Sequence, residues 1–179
     1  MGRVRRDRVR VTVAGRRRAA ALRRLGVRDL VVDVDGCMTD GRLVVNGLGE
    51  KAWKAFGPDD SDALKAAQAA HLRVTLVTAD EQGSLIVRHR AEHMGVPLVV
   101  APGAARVPWL VEHHDVDSTR TVYIGDGWHD ADNVREVAFG VAPADAWPWT
   151  IRCADAVTSR PGGHRAVAQA VDYVLRRIM

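Results

Sequence analysis

The sequence predicts an α/β fold: a parallel sheet flanked by helices on both faces, with a small β-hairpin set beside it. Three observations point there. From residue 29 onward, short apolar runs alternate with amphipathic stretches, as in a sheet whose strands are joined by helical crossovers. The chain has 179 residues, 47% of them hydrophobic, enough for one domain with a complete core. No internal repeat or long linker interrupts the pattern, so residues 29–179 read as one domain behind a basic leader.

The leader, residues 1–28, holds the excess positive charge. Residues 1–29 carry eleven arginines against Asp7 and Asp29, a balance of +9, while the remaining 150 residues sum to −5. The leader lacks the interleaved aromatics of a single-strand binder. Arginine also outnumbers lysine along the whole chain, where Lys51, Lys54 and Lys65 are the only lysines. A mobile or partly helical solvated arm is therefore expected over 1–28, and nucleic acid is not favoured as a partner.

The elements follow in order. DLVVDVD (29–35) reads as a buried strand. RLVV (42–45) and KAWKAF (51–56), joined by the Gly-rich NGLGE, read as a hairpin. DSDALKAAQAAH (60–71) opens with acidic capping residues and continues as an alanine-rich helix. RVTLVTAD (73–80) is a second buried strand, and EQGSLIVRHRAEHMG (81–95) is a helix stopped by Gly95. VPLVVA (96–101) is a third strand. ARVPWLVEHH (105–114) is helical, with Pro108 in its first turn. RTVYIGD (120–126) gives a fourth strand, WHDADNVREVA (128–138) a helix and GVAPA (140–144) a fifth strand. ADAVTS (154–159) makes a sixth before the closing helix, HRAVAQAVDYVLRRI (164–178). Trp147 and Trp149 flank Pro148 in an expected loop.

Several function classes drop out. No apolar stretch approaches the roughly 18–20 residues needed to span a bilayer. The arginine-rich start lacks the apolar core of a secretory signal. Cys37 and Cys153 have neither disulfide-framework nor zinc spacing. A cytoplasmic protein without a membrane partner is expected.

Three strands finish in polar residues: DVDG (33–36), VTAD (77–80) and IGDGWHD (124–130). Ligands of open parallel sheets bind beyond the carboxyl ends of the strands, which brings all three to one rim. Asp33, Asp35, Thr78, Asp126 and Asp130 would then form one acidic site with one hydroxyl. Carboxylates that close stay ionised only with a cation among them. All-oxygen ligands suit Mg²⁺, which also takes substrate phosphate oxygens. The cluster therefore predicts Mg²⁺ and a small phosphorylated substrate. Asp33 and Asp35, at i and i+2 on a strand, point to the same face about 6.5 Å apart. One can attack phosphorus as a nucleophile, and the other can protonate the leaving oxygen and then activate water. The Thr78 hydroxyl and backbone N–H groups near Gly36 can supply donors to the phosphate oxygens.

DVDGCMTDG, VTAD and YIGDGWHD, in this order, resemble motifs I, II and IV of the haloacid-dehalogenase (HAD) superfamily of phosphohydrolases. The extended first motif, the hairpin after it, Ala55-Phe56 and the ending ADAVTSRPGGHRAV are similar to a narrower group. That group is the capless 3-deoxy-D-manno-octulosonate-8-phosphate phosphatases and their sialic-acid-type relatives. The resemblance covers residues 29–178 and implies a Rossmann-like, HAD-like sheet with a hairpin flap and no cap domain. It implies Asp33 as nucleophile, Asp35 as acid/base and Thr78 as phosphate-binding hydroxyl. Asp126 would be the Mg²⁺ carboxylate, Asp130 its support, and Asp33 and the Asp35 backbone carbonyl further metal ligands. Gly36, Ala79, Arg106 and Arg165 join Thr78 as phosphate- or substrate-binding positions. The resemblance also implies a homotetramer built on the hairpin, with the tail around Arg165 reaching a neighbour's site. A lid on its own domain is the hairpin's other reading.

The chain departs from the group at several places. Arg106 stands where a lysine is expected, Thr78-Ala79-Asp80 replaces Thr-Gly-Arg, and Gly127 replaces a second aspartate. Asp60-Ser61 replaces Asp-Gly, and Gly162-Gly163-His164-Arg165 replaces Gly-Gly-Arg-Gly. The nucleophile, acid/base and metal carboxylate survive these changes, while the parts that would recognise the substrate are altered. The departures also motivate a second class of function, a catalytically degenerate binding or assembly module on the same fold. His89 and His93, in a zinc-peptidase-like HRAEH pattern, read better as a solvated helix face, because no third ligand follows.

Overall fold

The computed structural model describes residues 8–179. The elements in chain order are β1 (Arg10–Val11), α1 (Val13–Leu25), β2 (Asp29–Asp33), β3 (Val44–Val45) and β4 (Lys51–Trp53). They continue with α2 (Asp60–Ala69), β5 (Arg73–Thr78), α3 (Ser84–Met94), β6 (Leu98–Val100), α4 (Arg106–His113) and β7 (Thr121–Ile124). The last are α5 (Asp130–Glu136), β8 (Phe139–Ala142), α6 (Pro148–Cys153), β9 (Ala156–Val157) and α7 (Ala166–Ile178). The main sheet runs β1-β9-β8-β7-β2-β5-β6, parallel throughout except that β1 pairs antiparallel with β9. β3 and β4 form a separate antiparallel hairpin. This is the α/β architecture the alternation of runs predicts, with no domain inserted between β2 and β5 beyond the hairpin and α2.

Side chains alternate across β2, so it feeds two cores. Leu30 and Val32 pack with Leu22, Leu64, Val87 and Val171 on one face, while Val31 packs with Val107, Leu110, Tyr123 and Val134 on the other. Every residue of β2 is buried. That accounts for its near-continuous apolar run and places its carboxyl end deep in the molecule.

The expectation of a mobile or partly helical solvated arm over 1–28 needs correction where the structure describes it: the segment is helical, but it packs on the domain. Arg10 and Val11 pair with Val157 and Ala156. α1 then begins at Thr12, whose hydroxyl accepts the Gly15 N–H at 2.9 Å, and ends at Gly26 in the left-handed region. Its buried stripe, Gly15, Ala19 and Leu22, joins the main core. Three small or apolar residues at helical spacing suffice for this, while the arginines between them face water. Residues 1–7 of the expected arm lie outside the described residues. The expected loop around Pro148 is also corrected: Pro148 is the first residue of α6, where its missing N–H costs nothing. His89 and His93 lie exposed on α3, as a solvated face requires.

Candidate active site

The sheet register assembles the site. Asp33, the last residue of β2, pairs with Val77, so Thr78, the last residue of β5, lies one position past the end of β2. Val32 pairs with Ile124 across β2–β7, which puts Asp126 just past the same edge. β2 is the central strand of the three, and its chain turns sharply away. Residues 34–38 form one wide turn, closed by Thr39 N–H on the Val34 carbonyl at 3.1 Å. Gly36 takes φ 84°, and a Cβ there would stand 2.0 Å from Asp126 Oδ2. Only glycine lets the first and third strand ends approach this closely.

Asp33, Asp126 and Asp130 each offer a carboxylate oxygen within 4.8 Å of the others. Asp33 is 7% exposed, with Oδ1 accepting the Val34 N–H at 2.9 Å and Oδ2 lying 3.2 Å from the Arg106 guanidinium. Arg106 is itself buried. It donates to the Pro102 carbonyl at 3.1 Å and to the Tyr123 hydroxyl at 2.8 Å, and lies 3.5 Å from Asp130 Oδ1. Tyr123 donates to that same Asp130 oxygen at 2.6 Å, and Gly127 N–H donates to the other at 3.0 Å. Arg106 therefore balances part of the cluster's charge. Its pKa, pulled down by burial, is carried above the usual range by Asp33, Tyr123 and Asp130. Burial, then the neighbouring Asp130, push the Asp33 carboxyl well above the ordinary carboxylate range. The same two causes push Asp126 up to about 7. Carboxyls raised this way mark a site with an excess of negative charge, and its donors are all oxygens. The residues present thus fit a hard divalent cation such as Mg²⁺.

Asp35 is placed differently. Its carboxylate accepts the Thr78 hydroxyl on Oδ2 at 2.8 Å and the Lys54 ammonium on Oδ1 at 2.6 Å, and stands outside the trio. Thr78 is fully buried, and Ala79 beside it is exposed. Arg165 takes φ 73° just before α7 and pairs with Asp59 beside α2. Cys37 packs under the first loop, fully buried, with Sγ 3.8 Å from Asp126 Oδ1, and burial raises its thiol pKa.

Three participants escaped the reading of the sequence. Lys54 comes from the hairpin, Tyr123 sits inside a buried strand, and Asn133 lies on α5. Asn133 accepts the Val107 N–H at 3.0 Å and donates to the carbonyls of Gly103 and His129, clamping the start of α4 to the last motif. A tyrosine within a valine-rich strand and a buried asparagine two residues after Asp-Ala are weak signals. The lysines' rarity in this chain was the stronger one.

No protein-family model matches the chain. It is 29% identical over 152 residues to 3-deoxy-D-manno-octulosonate 8-phosphate phosphatase of Escherichia coli, an alignment covering 83% of this chain and 79% of that one. Among solved structures, a protein of Legionella pneumophila assigned to the HAD superfamily (subfamily III A) hydrolases superposes with a TM-score of 0.79 at 27% identity, covering 92% of this chain and 90% of that one. The cobalt-bound deoxy-D-mannose-octulosonate 8-phosphate phosphatase of Haemophilus influenzae gives 0.77 at 26% identity, with 86% and 90% covered. Fold and sequence agree across these likenesses, which support a phosphatase of the haloacid-dehalogenase type, similar to 3-deoxy-D-manno-octulosonate 8-phosphate phosphatase.

Proposed function

We propose that the chain is a Mg²⁺-dependent phosphomonoester hydrolase of a small sugar phosphate, acting through an aspartyl-phosphate on Asp33. The observation that carries this reading is the trio of Asp33, Asp126 and Asp130 within 4.8 Å, with Asp35 two residues on and facing Thr78. Asp33, Asp126 and Asp130, with the Asp35 backbone carbonyl, would hold the metal. A Mg²⁺ ion held there would neutralise the crowded carboxylates and part of the charge on the phosphate's oxygens.

An Asp33 oxygen forms the bond to phosphorus as the bond to the leaving oxygen breaks, and Asp35 gives that oxygen its proton. Asp35 then takes a proton from water, whose oxygen attacks the aspartyl-phosphate, returning the Asp33 carboxylate and releasing inorganic phosphate. Arg106, 3.2 Å from Asp33 Oδ2, offers fixed positive charge beside the reacting carboxylate. Thr78 and the N–H groups of Gly36 and Ala79 are the further candidates for phosphate oxygens; the Thr78 hydroxyl donates to Asp35 Oδ2 and the Gly36 N–H to Thr39 Oγ1, so both would change partner on binding.

The sugar class comes from the relatives, two of which are phosphatases of an octulosonate 8-phosphate. The hairpin exposes Leu43, Val44, Val45, Leu48 and Trp53, which supports a homo-oligomer, a tetramer by likeness to the family, with Arg165 contributing to an adjacent subunit's site. The expected setting is the cytoplasm; among the described residues no helix is long and apolar enough to cross a membrane.

The test is phosphate release from a panel of sugar phosphates, keto-sugar acid phosphates among them, with Mg²⁺ and with a chelator. Turnover of one class, lost on chelation, is expected. No release from any member, together with no Mg²⁺ binding by calorimetry, would replace the enzyme with an assembly module on the same fold.

A further inference from the structure

Two of the chain's three lysines, Lys51 and Lys54, converge on one carboxylate, Asp80. Asp80 is the residue that departs from the family's arginine after Thr78. Lys54 follows β4, and its side chain is 3% exposed, with the ammonium 2.6 Å from Asp35 Oδ1 and 2.9 Å from Asp80 Oδ2. Lys51, at the start of β4, pairs with Asp80 Oδ1. Asp80 is fixed in turn by the Gly83 N–H at 2.9 Å, and its own N–H donates to Thr78 Oγ1 at 3.0 Å. The Thr78 hydroxyl donates to Asp35 Oδ2 at 2.8 Å.

These contacts close a ring: Asp35, Lys54, Asp80, Thr78 and back to Asp35. It joins the first strand end, the hairpin and the second strand end. Without it Asp35, whose side chain is 36% exposed, would be free to change rotamer. With it both carboxylate oxygens have a fixed partner. Burial raises the Asp80 carboxyl, but the hydrogen bonds from Lys51 and Lys54 outweigh it and hold the group well below the usual range, as a carboxylate facing two ammoniums should be. A lysine suits the place: a compact ammonium can bridge two carboxylates in a closed slot where a planar guanidinium would need more room. Asp35, Lys51, Lys54 and Asp80 also line a cavity of about 250 Å³ beneath the hairpin, on the acid/base side of the site.

We propose that Lys54 is the positioning residue of Asp35, and that Asp80 acts through Lys54 by holding its ammonium in place. The departure at Asp80 is then a rebuilt support, in which the hairpin supplies the cation that the second strand end has lost. The catalytic consequence rests on the proposed role of Asp35 as acid/base.

The test compares wild type, Lys54→Met, Asp80→Asn and the double variant, each Mg²⁺-loaded, with p-nitrophenyl phosphate and with the best sugar phosphate of the panel. Misplacing a catalytic group by an ångström costs about 100-fold, so Lys54→Met should lower kcat by about that factor with KM within about threefold. Asp80→Asn should lower kcat by about 10-fold, and the double variant should equal Lys54→Met, since the two residues act as one unit. A loss confined to KM, an unchanged kcat, or additive effects in the double variant would overturn the proposal. Crystal structures of wild type and Lys54→Met test it apart from activity: Asp35 is expected to leave Thr78 in the variant, and an Asp35 still bonded to Thr78 would overturn it. A wild type that releases no phosphate would refute the hydrolase reading while leaving that structural test in force. Lys54→Gln, which keeps a donor, serves for the same readouts where Lys54→Met fails to fold.

Discussion

Arg106 binds the site's charge balance to the stability of the whole chain. The perturbation is Arg106→Met, which keeps the volume of the side-chain stem and removes the guanidinium. Asp33 Oδ2 would lose a cation at 3.2 Å and Asp130 Oδ1 one at 3.5 Å, while Tyr123 would lose the donor to its hydroxyl at 2.8 Å. Breaking a buried charge pair by removing one partner costs about 3–5 kcal/mol. For a chain of this size about 1 kcal/mol moves the Tm by roughly 2–4 °C, so a fall of about 6–20 °C is expected. Arg106→Lys keeps the charge and should lose only about 1–2 kcal/mol, from the bonds to Pro102 and Tyr123 it cannot copy together. The assay is thermal unfolding by circular dichroism, with and without Mg²⁺. Because a divalent cation would neutralise the same carboxylates, Mg²⁺ should narrow the gap between wild type and Arg106→Met. Equal melting temperatures, or a gap that Mg²⁺ leaves untouched, would refute the reasoning.

Other predictions concern the supports. Asp60 is buried, accepts the Ala168 N–H on one oxygen and leaves Oδ2 without a hydrogen-bond partner among the described residues, and its carboxyl is raised by burial from 3.8 to about 6. A raised folded pKa means the native state holds the proton more tightly, so this contribution is complete below pH 4 and lost as pH climbs through 6. The stability of wild type relative to Asp60→Asn should therefore fall by up to about 3 kcal/mol between pH 4 and pH 7 in urea melts. A constant difference would refute it. Gly162→Ala would set a Cβ 1.8 Å from the Gly36 carbonyl oxygen, and backbone cannot yield cheaply there. A loss of about 3 kcal/mol or more is expected in urea melts, with activity falling as the first loop moves; wild-type stability would contradict the packing.

The strand ends were legible because their signal is local. An apolar run that stops at Asp-x-Asp, Thr-x-Asp or Gly-Asp-Gly carries its own meaning, and the parallel topology then decides that the three converge. The packing of α1 was illegible for the opposite reason. Its buried stripe, Gly15, Ala19 and Leu22, is small and sits among arginines, so composition suggested solvent where packing against the core prevailed. α6 was hidden by Pro148, which breaks a helix inside but fits its first turn. The ring through Lys54 and Asp80 could not be read at all from spacing. It joins residues from three segments whose approach is fixed only once the hairpin folds back on the sheet, and the Asp80 departure looked like a loss until Lys54 stood beside it.

The central claim is that Asp33 takes the phosphoryl group. Its most direct measurement is acid quenching of the Mg²⁺-loaded chain during turnover, followed by peptide mass spectrometry, on wild type and Asp33→Asn. Wild type is expected to carry one phosphoryl group on the peptide containing Asp33, while Asp33→Asn carries none, folds normally and releases no phosphate. Wild-type turnover by Asp33→Asn would contradict the account.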